Sequence, residues 1–123
     1  MARSRASAKK AGSSFERLIA DYLAQHVDDR IDRRVKTGNA DKGDIGGLRH
    51  MGHRLVIEAK NTAKTSLGTW AAEAEAERVN DEALAGIVLH KRHGKGQAGE
   101  QWVTMTLADF TAILTGSRDH ITD

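Results

Sequence analysis

The sequence predicts a single mixed α/β domain, a central β-sheet with helices packed on it. Three observations carry that expectation. Apolar residues recur at helical spacing near both ends and again in the middle of the chain. Between these stretches lie short segments that alternate as strands do, each bounded by Gly or polar turn residues. The 123 residues include no Cys and no Pro, and a chain of that length buries about two thirds of its unfolded surface in one core without staples.

Taken in order, residues 1–12 consist mainly of Ala, Ser, Lys, Arg and Gly and are expected to form a flexible basic arm, with the domain spanning 13–123. Ser13-Ser14-Phe15-Glu16 matches a capping box, Ser13 as N-cap with Glu16 reaching back. Phe15, Leu18, Ile19, Tyr22 and Leu23 then share one helical face to about His26. Residues 31–36 alternate as a short strand, and Thr37 to Lys42 is turn chemistry. A weak strand from Gly43 to about Arg49 is broken at Gly46-Gly47. Arg54 to Lys60 is the best strand in the chain, with Leu55, Ile57 and Ala59 on one face and Val56, Glu58 and Lys60 on the other. A second helix is expected from Thr69 to Leu84, its packed stripe Ala72, Ala76, Val79 and Ala83, and Gly86 is expected to end it. Strands follow at 86–91 and 101–106, and a last helix, capped near Thr106, runs to Leu114 before Gly116. The order is α-β-β-β-α-β-β-α.

Composition narrows the function. Mean hydropathy is −0.53, and no apolar run approaches the roughly 18 residues that a spanning helix needs. Met1 to Lys10 is basic with no apolar stretch behind it, unlike a secretory leader. With no Cys there is no thiolate zinc site, disulfide framework or cysteine nucleophile, so a cytoplasmic setting is expected. The formal net charge of +2 conceals an imbalance, +5 over residues 1–60 and −3 over 61–123. A basic first half suits a polyphosphate partner, because each neutralised phosphate releases condensed counterions.

Asp44, Glu58 and Lys60 carry the chemistry. Glu58 and Lys60 are two apart on a strand and share a face, and a hairpin can bring Asp44 beside Glu58. Paired carboxylates repel unless a cation lies between them, and oxygen-only donors suit Mg²⁺ or Mn²⁺ rather than zinc. An adjacent lysine can steady an attacking water. Asp…Glu-x-Lys is therefore a device for metal-assisted hydrolysis of a phosphodiester. Taken alone, Glu-x-Lys on a strand is also an ordinary surface ion pair.

Gly12-x-x-Phe15-Glu16, Lys42-Gly43-Asp44-Ile45, Val56-Ile57-Glu58-Ala59-Lys60-Asn61 and Leu89-His90-Lys91-Arg92 together resemble the PD-(D/E)xK nucleases, most nearly the archaeal-type and phage Holliday junction resolvases. The likeness spans roughly residues 12–110 and implies an αβββαβ restriction-endonuclease-like core. It implies a Mg²⁺-dependent DNA endonuclease, Mn²⁺ substituting, that works as a homodimer on branched DNA in the cytoplasm of a cell or of a phage host. Asp44, Glu58 and the Ala59 carbonyl would hold the metal, Lys60 would orient or activate water and stabilise the developing charge, and Glu16 would complete the acidic cluster. Gly43 stands where the superfamily name expects Pro. Many relatives carry Gln on the helix after Trp70, where this chain has Glu73, Glu75 and Glu77. That acidic face is expected to point away from DNA or toward a second subunit. A nicking, flap or restriction-like nuclease, or a non-catalytic nucleic-acid-binding module, are the alternatives.

The remaining polar residues divide by use. Arg33, Arg34, Lys36, Lys42, Lys91 and Arg92, with Lys95, are candidates for binding phosphate. Thr37, Gly38, Thr65 and Ser66 are candidate donors to phosphate or simple loop residues, and His90 and His93 are expected at the sheet end facing phosphate. His50 and His53 read as surface residues of a Gly-rich hairpin, Trp70 and Trp102 as core.

Overall fold

The computed structural model describes residues 4–35 and 41–121. Helix α1 spans Arg5–His26, capped by Ser4, whose hydroxyl accepts from the Ser7 backbone N–H at 3.1 Å. The cap expected at Ser13 is therefore two turns inside the helix, and residues 5–12 are helical rather than an arm without structure. Ala6, Ala8, Lys9, Lys10 and Ala11 are strong helix formers, and they carry the helix N-terminally although residues 4–10 are all exposed.

The strands are β1 Asp32–Arg33, β2 Ile45–Gly46, β3 Arg49–His50, β4 His53–Lys60, β5 Ala85–His90 and β6 Trp102–Thr104. They form one open sheet in the order β1-β2-β4-β5-β6, with β3 folded back on β4. The weak strand expected over 43–49 is thus two strands, parted at Gly47. Neighbours are antiparallel except β4 and β5, which run parallel with Glu58 opposite Val88 and Lys60 opposite His90. A parallel pair needs a crossover, and helix α2, Leu67–Asn80, supplies it. Helix α3, Leu107–Thr115, has the expected caps: Thr106 accepts from the Asp109 N–H, and Gly116 closes it in the left-handed region.

The sheet lies between two helical layers. On one face, Phe15, Ile19 and Ala20 of α1 pack on Ile45, Ile57, Ile87 and Leu89, while Ala112 of α3 packs with Leu55, Leu84 and Ala85. On the other, Trp70 and Ala74 of α2 pack on Val88. The two-residue alternation of β4 holds as expected, with Leu55 and Ile57 toward α1 and α3.

The inward face of α2 differs from the expected stripe. Trp70, Ala74 and Glu77 are buried, whereas Ala72, Ala76 and Val79 are exposed. Gly86 explains why Ala74 faces in. It sits inside β5 rather than ending the helix, and a Cβ there would meet the Ala74 carbonyl oxygen at 2.7 Å. Trp70 is core as expected, but Trp102 is 47% exposed on the edge strand, with Arg92 over its ring at 4.5 Å. No helix among the described residues is long and apolar enough to cross a membrane.

Candidate metal centre

β4 places Glu58 and Lys60 on the sheet face that α2 covers. Glu58 is only 5% exposed. Asp44 enters from the preceding hairpin, its backbone N–H donating to the Ile57 carbonyl at 2.8 Å and its Oδ2 accepting from the Ala59 N–H at 2.8 Å. Gly43 makes that approach. Its φ of +98° lies in a region that proline cannot adopt, and a Cβ would stand 2.9 Å from the Ile57 oxygen. Gly rather than Pro is therefore required here by the local backbone.

Helix α2 adds two further carboxylates. Glu73 accepts from the Lys60 Nζ at 2.8 Å. Glu77, 3% exposed, lies with Glu58 and Asp41 such that one oxygen of each falls within 4.8 Å of the others. Asp41 Oδ1 accepts from the Gly43 N–H, and its carbonyl accepts from the Asn80 side chain at 2.8 Å, so this loop is tied to the end of α2. Glu73 and Glu77 of the acidic α2 face thus turn toward Lys60 and Glu58. Only Glu75 turns aside, to Arg78 at 2.7 Å.

The electrostatics follow from burial. Desolvation pushes the Glu58 carboxyl far above the usual carboxylate range, and Asp44 and Glu77 push the same way. Burial also raises Glu77, to about 7; a bond from Glu58 opposes the rise, and Asp41, Asp44 and Glu73 add to it. For Lys60, burial disfavours the charge, but the bond to Glu73 and the fields of Glu58 and Asp44 outweigh it and hold the ammonium above its ordinary value. Carboxylates crowded in this way, and offering only oxygen, fit a hard divalent cation. The cation would supply the positive charge that one lysine cannot.

Of the residues expected at the site, Asp44, Glu58 and Lys60 are brought together, and Ala59 joins them through its N–H. Glu16 is not among the carboxylates that converge. It lies on α1 and accepts from Arg33 at 3.1 Å, in an open cleft lined by Lys9, Gly12, Ser13, Arg33, Arg34 and Val35.

The basic candidates are scattered. Lys42 is exposed beside Asp41. Arg34 reaches Asp81 at 3.5 Å. Lys91 Nζ donates to the Lys95 carbonyl, and the Arg92 N–H donates to the Gln101 side chain at 2.7 Å. Lys36, Thr37 and Gly38 lie outside the described residues. Thr65 and Ser66 are exposed before α2. His90 is buried beside Trp70 and bonded to Thr104 at 2.7 Å rather than turned to a phosphate. His93 meets the Thr62 carbonyl, and His50 and His53 face each other, exposed, across the β3–β4 hairpin.

Asp41, Glu73 and Glu77 were missed from sequence. The signal for the last two was present, since Glu73 and Glu77 are four apart and Glu77 is seven from Trp70, which places all three on one face. Comparison with protein-family models, with curated proteins and with solved structures finds no match to this chain.

Proposed function

We propose that the chain is a metal-dependent DNA endonuclease, with a four-way junction as its preferred substrate. The observation that carries this reading is the convergence of Asp44, Glu58 and Lys60 on one sheet face, beneath a helix that adds acid beside its apolar cover. A scaffold that only bound nucleic acid would gain nothing from burying carboxylates against each other.

Asp44 and Glu58, with the Ala59 carbonyl, would hold Mg²⁺ or Mn²⁺, which supplies Lewis-acid stabilisation of charge on a phosphodiester when bound. Lys60 contributes as a fixed positive donor. Its ammonium is held above the ordinary value by Glu73 and the neighbouring acids, so at neutral pH it donates to a water or to a phosphate oxygen and does not act as a base. Glu73 anchors it at 2.8 Å until substrate competes for the same protons. Arg33 and Lys9, on the rim of the cleft beside α1, would be offered to a phosphate backbone, Arg33 in exchange for its bond to Glu16. Two symmetric cuts in a junction call for two copies of such a site, hence a two-fold dimer.

Cleavage of a labelled synthetic four-way junction, run beside matched linear duplex with Mg²⁺ or with EDTA, tests the reading. Paired metal-dependent cuts in the junction alone are expected. Equal cutting of the duplex would remove the junction preference, and no metal-dependent cutting of either would remove the nuclease.

A further inference from the structure

Asp44 and Glu58 account for the expected metal position, yet two more carboxylates face it from the α2 side. Glu77 is the telling one. It sits on the buried face of α2, 3% exposed, and its Oε2 has no hydrogen-bond partner among the described residues. A buried carboxylate oxygen left without a donor is costly, and a position on the same buried helix face as Trp70 and Ala74 is normally apolar. One of the Glu77 oxygens lies within 4.8 Å of oxygens from Glu58 and Asp41. A cation bonded at about 2.1 Å in an octahedron holds adjacent oxygens about 3.0 Å apart and opposed ones about 4.2 Å apart, so three carboxylates within 4.8 Å of one another would close on Mg²⁺ or Mn²⁺ by drawing together. Asp41 is held for this by its own loop, through the Gly43 N–H and through Asn80, which follows Glu77 by one turn of α2.

We infer that Asp41 and Glu77 are metal ligands, forming with Glu58 a cation position on the α2 side of the centre. The inference rests on the metal-centre reading and assigns it two ligands from outside the Asp…Glu-x-Lys motif. The helix that crosses between the parallel strands is thereby part of the site, and cation binding ties α2 to the Asp41 loop. Glu73 is excluded from the ligand set because it is engaged with Lys60.

The test is a titration of the full-length chain with Mn²⁺, free ion followed by electron paramagnetic resonance, with no DNA present. Glu77→Gln, Asp41→Asn, Glu58→Gln and Asp44→Asn are compared with wild type. Glu77→Gln removes a buried charge without changing shape, and Asp41→Asn lies at an exposed position, so both are expected to fold, as far-ultraviolet circular dichroism would record. Loss of a residue that merely supports a ligand weakens a metal site about 10- to 100-fold, so loss of these ligands should weaken Mn²⁺ at least about 10-fold. Unchanged Mn²⁺ affinity in both Glu77→Gln and Asp41→Asn, with loss in Asp44→Asn and Glu58→Gln, would overturn the inference and leave the Asp44–Glu58 site standing. A wild-type chain that binds no Mn²⁺ would overturn both.

Discussion

Glu58 and Glu77 set the resting state of the centre, and their titration gives a measurable signature. Both carboxyls are raised in the folded chain by burial first and by neighbouring acids second, Glu77 from 4.5 to about 7. A carboxyl raised on folding favours the native state fully below its unfolded value, and that contribution is lost as pH climbs through the folded value. The metal-free protein should therefore lose thermal stability between about pH 5 and pH 8, and Glu77→Gln should lose less over the same interval. The comparison between variants matters, because His90, lowered by burial, acts with opposite sign below its ordinary value of 6.5. Saturating Mg²⁺ should restore the wild-type midpoint at the alkaline end, since a cation binds the ionised pair. Differential scanning fluorimetry at several pH values, with EDTA or Mg²⁺, reads all of this; a wild type and a Glu77→Gln with parallel pH profiles would contradict it. Asp44, Glu58 and Lys60 were legible in the sequence because a strand forces alternate residues onto one face. The cap expected at Ser13 and Glu16 was misread because a glutamate three residues after a serine satisfies a capping pattern whether or not the helix starts there.

At the scale of elements, two glycines decide whether the site assembles. Gly43 turns the chain at φ +98° with no room for a Cβ against Ile57. Gly43→Ala should cost about 1–3 kcal/mol through backbone strain, and should weaken Mn²⁺ binding because Asp44 is displaced from the Ala59 N–H. Gly86 lets α2 rest on β5, where a Cβ would meet the Ala74 carbonyl oxygen at 2.7 Å. Gly86→Val should push α2 off the sheet and carry Glu73 and Glu77 with it, lowering both the melting midpoint and metal affinity. Midpoints and Mn²⁺ titrations unchanged from wild type would contradict these placements. The longer strands β4 and β5, and α3, could be read from the chain because alternation and caps are local signals. The buried face of α2 could not. Four of its fourteen positions are alanine, which suits core and surface alike, and the inward register was decided by a distant glycine on β5. The start of α1 was hidden for a related reason, since Ala and Lys extend a helix without needing anything to pack against.

For the whole molecule, the charge imbalance along the sequence does not become a simple division in space: the acids at α2 include Asp41, Asp44 and Glu58 of the basic first half. Residues 4–10 are exposed, and all but Ser4 are helical, so removing residues 1–10 should leave the core intact and the melting midpoint near that of wild type. Binding of the shortened chain to a DNA junction should depend less steeply on salt, by about 0.9 in the log–log slope for each phosphate that is no longer neutralised. An unchanged slope would mean that Arg5, Lys9 and Lys10 touch no phosphate. Fold class was legible because it needs only the order of elements. Which cations face the substrate was not, because several are engaged within the chain: Arg34 with Asp81, Arg33 with Glu16 and Arg92 with Trp102.

The most direct test of the central claim pairs wild type with Glu58→Gln on one labelled four-way junction, measuring single-turnover cleavage in Mg²⁺ and binding in EDTA. The account predicts that Glu58→Gln loses cleavage to background while binding the junction as well as wild type, since without metal the buried Glu58 carboxyl is held protonated and the amide replaces it with no change of charge. A Glu58→Gln protein that cuts at the wild-type rate would contradict it.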